Sequence, residues 1–256
     1  MALSIGLIGF GALGGSIHRI LGTISGCRVS GVFTHARVDS LSDDLQAESF
    51  EQFLEMGHDV IVECAGQAAL KQYGLAVLKS GAHLVTASVG SLVDDELRNG
   101  LLKAASESGV SVRLPSGAMV GIDGLAAARH VGIESAVYRG TMHPDALRNY
   151  ESDAAIAGRT KIYVGTARDA VARFPKNANL TGTIALAGIG FDRTKVELYL
   201  DPALTANMHE LEVHGDFGHF QVQVVGKRIS DASPSSRIVA GSLAQAALGS
   251  SFTTLS

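Results

Sequence analysis

Short unbroken apolar runs recur through the first half of the chain, each closed by glycine or a polar turn. They read "LSIGLIGF" (3–10), "CRVSGVFT" (27–34), "DVIVECAG" (59–66), "HLVTASVG" (83–90) and "VSVRLPSG" (110–117). Runs of this length with no clean alternation predict strands buried on both faces. Between them lie segments of helical period, "GALGGSIHRILG" (11–22), "QAALKQYGLAVLKSG" (67–81) and "VDDELRNGLLKAASESG" (93–109). The last has acidic residues in its first turn and ends at Gly109, the charge and cap expected of a helix. Strand alternating with helix predicts an α/β fold, a Rossmann-type doubly wound parallel sheet over residues 1–114.

From residue 115 the pattern changes. "AGRTKIYVGTARDAVARFP" predicts a strand followed by a helix, and "NANLTGTIALAGIGF" a helix rich in small residues. "TKVELYLDP", "MHELEVHGDFG" and "HFQVQVVG" alternate as half-buried strands, the last two joined as a hairpin through "GDFG". Residues 115–230 are therefore expected to form a smaller α+β substrate domain on an antiparallel or mixed sheet. A Ser-rich loop follows, then a helix over 235–250 that either domain could receive.

Composition narrows the class. The 256 residues are 46% hydrophobic and 18% charged, enough to bury a full core. A net charge of −4, no Trp and 5% aromatic residues argue against nucleic acid. No apolar stretch approaches the roughly 20 residues that span a bilayer, and the N-terminus shows no export signal. Two cysteines, Cys27 and Cys64, stand in no metal or redox spacing, so no metal is called and a cytoplasmic location is expected.

The most specific local signal is "GFGALG" at 9–14. Gly9 ends an apolar strand and Gly14 opens a helix. Gly9 suits a tight turn, Gly11 the approach of a pyrophosphate and Gly14 close helix–strand contact, with Ala12 and Leu13 supplying first-turn amides. An NAD site ordinarily has an acidic residue at the end of the second strand for the ribose hydroxyls. Here that strand ends "GVFTHARVD", with Thr34, His35 and Arg37 in its place. NAD or NADP is expected, and a hydroxyl with two potential cations favours the 2′-phosphate of NADP.

Hydride transfer also needs a proton shuttle. Strand parity separates the histidines of the hairpin: His209 shares a face with Leu211 and Val213, whereas His214 and His219 share faces with Glu and Gln. Asn207 has the parity of His209, which favours a polar pocket there. Parity leaves open whether His209 is a satisfied core residue or an acid/base. "RLPSGAMVGIDGL" predicts strand, turn and helix, with the amides of 116–118 free for a ligand. "FPKNANLTGT" sets Lys176, Asn177 and Asn179 at a helix start, for helix capping or for a carboxylate.

Together these blocks resemble the L-aspartate dehydrogenase family along nearly the whole chain. "IGLIGFGALG", "DVIVECAGQAAL", "PSGAMVGIDGL", "FPKNANLTGTIALAGIGFDRTKVEL" and "DPALTANMHELEVHGDFGHF" carry the likeness, the last three most specifically. The resemblance implies oxidative deamination of L-aspartate to iminoaspartate, hence oxaloacetate and ammonia, with reduction of NAD or NADP, and the reverse amination. It implies His209 as catalytic residue, Ala118 and Asn179 as cofactor contacts, and a homodimer. Substrate contacts are expected from Lys176, Asn177 and Asn207. The sequence departs from the family at the missing second-strand acid. The alternatives are a non-catalytic NADP(H)-binding sensor and a related two-domain reductase acting on another small carboxylate.

Overall fold

The computed structural model describes residues 2–147, 158–175, 178–229, 235–249 and 254–255. It divides into two compact units, Met1–Gly117 with Val239–Ser256, and Ala118–Ile238.

In the first unit β1 (Leu3–Ile8), β2 (Cys27–Phe33), β3 (Gln46–Ala47), β4 (Val60–Glu63), β5 (His83–Thr86) and β6 (Val112–Arg113) run parallel. The sheet order is 6-5-4-1-2-3, with the two-residue β12 (Thr254–Leu255) antiparallel at the β6 edge. This is the doubly wound order, and apart from the β2–β3 connection, which holds only a 3-10 turn (Asp43–Leu45), the crossovers are α-helices: α1 (Ala12–Leu21), α2 (Phe50–Glu55), α3 (Gln67–Lys79) and α4 (Asp95–Ser108). Every residue of β4 is buried, as an apolar run with no polar face requires. Helix α1 begins at Ala12, two residues before the predicted start, which places Gly14 inside its first turn. Helix α8 (Arg237–Ala247) sends Ala240, Leu243, Ala244 and Ala247 into the core built by Ile5, Leu7, Ile17, Val60 and Val85.

The second unit is a five-stranded mixed sheet in the order 11-10-7-9-8. Its strands are β7 (Ile133–Met142), β8 (Thr160–Thr166), β9 (Lys195–Leu200), β10 (Met208–Gly215) and β11 (Gly218–Val225). Only the β7–β9 pair is parallel. The β10–β11 hairpin turns through Asp216 and Phe217, with Gly218 at φ +106°. Helices α5 (Ile122–Val131), α6 (Ala167–Arg173) and α7 (Asn179–Ala187) complete the unit. Leu211 and Val213 are fully buried beneath them, while Glu210, Glu212 and His214 take the other face, where Glu212 bonds Arg139 and His214. The central strand β7 has no counterpart in the predicted elements. Its residues Glu134, Ser135 and Gly140 break the alternation that would mark a strand.

Among the described residues no helix is long and apolar enough to cross a membrane, and no group of three or more metal-ligating side chains is assembled.

Candidate active site

The first unit builds its site around the turn after β1. Gly9 has φ +96°, a conformation that side chains rarely adopt, and a Cβ there would lie 2.9 Å from Ala65. A Cβ on Gly14 would lie 2.4 Å from the Gly9 carbonyl oxygen, so α1 can sit this close to β1 only with hydrogen at that position. Gly11 is different: a Cβ there would meet nothing within 4 Å. It caps α1 without a side-chain bond, leaving the first-turn amides of Ala12, Leu13 and Gly14 for a ligand. Beside this turn is a cavity of about 240 Å³ lined by Gly9, Gly11, Thr34, His35, Cys64 and Tyr73, among others. Uncapped amides, an open approach at Gly11 and an adjoining cavity fit the pyrophosphate and adenosine of a dinucleotide.

Thr34 and His35 thus line the cavity together with the glycine turn, and no carboxylate is among the lining residues. Arg37 is placed differently. It is exposed, ion-paired with Asp43 and outside the cavity lining.

Two residues of this site were not singled out in the sequence. Glu63, at the C-terminal end of β4, is 1% exposed. It accepts hydrogen bonds from the amides of Ala65 (2.9 Å) and Gly66 (2.8 Å) and from the Thr86 hydroxyl (2.6 Å), and so shapes the turn that walls the cavity. Burial pushes its carboxyl above the ordinary range. Cys64, next in sequence, donates its thiol hydrogen to the Gly9 carbonyl at 3.2 Å, and burial raises its pKa strongly. An acid ending an otherwise apolar parallel strand is the signal that would have marked Glu63.

In the second unit His209 faces the buried side of the sheet with Leu211 and Val213. Its Nδ1 lies 2.9 Å from the hydroxyl of Tyr138 on the neighbouring strand, and the two rings stack at 6.1 Å. Tyr138 is 3% exposed. The residue paired with His209 across β7 is Gly140, where a Cβ would lie 2.8 Å from the Tyr138 hydroxyl. The absent side chain is what lets the phenol reach the imidazole. Burial lowers the pKa of His209 to about 4 and raises that of Tyr138, so both are neutral at physiological pH. With Nδ1 occupied, Nε2 is the ring nitrogen left for a reacting molecule.

Asn207, two residues earlier, has its side-chain Oδ1 buried without a hydrogen-bond partner, an acceptor that wants a donor. Ala118 is buried just before α5, and Asn179 is the half-buried first residue of α7. Lys176 and Asn177 lie outside the described residues.

Comparison with known proteins decides the family. Residues 123–250 match the family described as "Aspartate dehydrogenase, C-terminal", and residues 9–115 match "Homoserine dehydrogenase, NAD binding domain". An L-aspartate dehydrogenase of Bordetella pertussis is 64% identical over 208 residues, covering 81% of this chain and 80% of the relative. The chain belongs to the L-aspartate dehydrogenase family. Membership makes it a pyridine-nucleotide-dependent amino-acid dehydrogenase. A more distant L-aspartate dehydrogenase from Serratia proteamaculans is 34% identical over 248 residues and covers 94% of each chain. The fold is shared with the crystal structure of aspartate dehydrogenase from Thermotoga maritima, at a TM-score of 0.77, 21% identity, and coverage of 98% of this chain and 95% of that one.

Two stability measurements check the site. Glu63→Ala leaves two amides and a hydroxyl unpaired in a buried turn, and unfolding free energy should fall by about 2–3 kcal/mol in urea titration. His209 binds its proton less well folded than unfolded, so its contribution is present above pH 6.5 and lost as pH falls toward 4. Between pH 7 and 4.5 the parent should lose roughly 2 kcal/mol more than His209→Gln, allowing for partial exposure. Parallel losses in the two proteins would show that the imidazole is not held neutral by its surroundings.

Proposed function

We propose that the protein oxidises L-aspartate with NAD or NADP as hydride acceptor, giving iminoaspartate, which water converts to oxaloacetate and ammonia, and that it runs the reverse amination. The observation that carries this reading is the 64% identity, over four fifths of the chain, to a relative named L-aspartate dehydrogenase. In this reading the first unit holds the dinucleotide through Gly9, Gly11, Ala12, Leu13 and Gly14, and the second carries the substrate chemistry, with Ala118 and Asn179 as further cofactor contacts. When bound, the nicotinamide supplies the acceptor for the hydride that leaves the aspartate α-carbon.

The chain's own residues handle the proton. Neutral His209 accepts one at Nε2 from the substrate amine or from the water that attacks the imine. With Nδ1–H donating to the phenol oxygen, Nε2 is the base, and the imidazolium so formed returns the proton from Nε2 in the reverse direction. The orphaned Oδ1 of Asn207 is a natural acceptor for the substrate ammonium. Lys176 and Asn177 belong to this proposal as partners of the substrate carboxylates, as do the homodimer, which rests on the family resemblance, and the cytoplasmic location, which rests on cysteine usage.

Cofactor choice is read from the end of β2. With Thr34 and His35 lining the cavity and no carboxylate to repel a phosphate, NADP is accepted and preferred. Arg37 must leave Asp43 to take part.

The direct check is absorbance at 340 nm with oxaloacetate, ammonia and NADH or NADPH. Turnover is expected with oxaloacetate, and turnover only with other keto acids would overturn the substrate. His209→Ala should lower kcat by about 10²–10⁴. Tyr138→Phe, which keeps the ring and loses one hydrogen bond, should lower kcat about tenfold and displace the acid limb of the pH profile. A parent-like profile in Tyr138→Phe would remove the phenol from the proton path. Arg37→Ala should raise KM for NADPH about tenfold and change KM for NADH less than twofold, an ion-pair contribution of about 1–2 kcal/mol. Equal effects would remove Arg37 from cofactor choice.

A further inference from the structure

The second unit has another cavity, of about 420 Å³, where the chain leaves β11. Its walls include Ala206, Val225 and Gly226, and three cationic residues line it: Lys227, Arg228 and Arg237. Among the described residues no carboxylate lines it, and none of the three cations is in an ion pair. The Nε of Arg228 is buried with no hydrogen-bond partner.

The frame around these charges is fixed by backbone bonds. The Gly226 amide donates to the Asn207 carbonyl at 2.8 Å, and the Arg237 amide to the Lys227 carbonyl at 2.8 Å. The Arg237 Nε donates to the Arg228 carbonyl at 3.2 Å. Three like charges are therefore held at one cavity with no carboxylate among its described lining residues, an arrangement that attracts an anion.

This is not the pocket of the catalytic imidazole. Val225 pairs with Met208, one position off His209, whose partner is Val224. Successive side chains alternate faces, so the wall made by Val225 is on the other side of the hairpin from His209.

We infer that the cavity binds a small, doubly charged oxyanion through Arg228, Lys227 and Arg237. Guanidinium and ammonium groups recognise carboxylate and phosphate oxygens alike, and the shared chemistry is that of an oxygen anion bearing at least two charges. Half-buried Arg228 flanks the cavity, while Lys227 and Arg237, both exposed, close the field from the solvent side.

The test is isothermal titration of the full chain, without cofactor or turnover, in a chloride buffer. Inorganic phosphate is the probe in one arm, and succinate, a dicarboxylate with no amine to oxidise, in the other. One saturable site per chain is expected in at least one arm, weakened tenfold or more in Arg228→Gln. The arm that saturates names the source. Lys227→Gln/Arg237→Gln, two exposed changes, replaces Arg228→Gln should that variant fail to fold. Saturation in neither arm, or parent-like affinity in the folded variant, overturns the site. Succinate held at the substrate position would survive these substitutions and so count against it. Because no turnover is read, failure here is separate from failure of the role given to His209.

Discussion

The first unit depends on a distance of closest approach. Helix α1 lies so near β1 that any side chain at position 14 would collide with the carbonyl of Gly9. That contact aims the helix N-terminus, with its uncapped amides, at the open space beside Gly11. The β4–α3 turn must then be held at a matching height, and the buried carboxyl of Glu63 does so by gathering two amides and a hydroxyl. A single steric limit thus fixes where an anionic ligand would lie, and a single acid fixes the opposite wall.

The second unit solves its problem in the same way with different atoms. A side chain is removed at Gly140 so that a phenol can cross to the imidazole of His209. Burial then keeps both rings neutral. In each unit a missing methyl group makes room for a polar contact that would otherwise have no space, and the contact lies where the chemistry is proposed.

How much of this could be read from the sequence differs by element. Strands β1, β2, β4 and β5 announce themselves as apolar runs because both their faces are covered, and the glycine turn follows from its place between strand and helix. The inward face of His209 follows from parity alone. Strand β7 does not announce itself. Glu134 and Ser135 are exposed and Gly140 contributes no side chain, so its pattern is not that of a strand. With β7 hidden, Tyr138 could not be seen as the partner of His209, since the two meet only through strand pairing 71 residues apart. The setting of Arg37 was hidden for a related reason. Its charge was visible, but its partner Asp43, six residues on, becomes a neighbour only when the loop folds back.

Cys64 brings a consequence of another kind. The thiolate is the form of cysteine that reacts with peroxide, disulfides and alkylating agents. Cys64 is held as a thiol by burial and by its bond to the Gly9 carbonyl, so the sulfur nearest the glycine turn has almost no thiolate to offer. The sulfur that lines the cavity where a dinucleotide is proposed to lie is thereby a poor nucleophile toward oxidants.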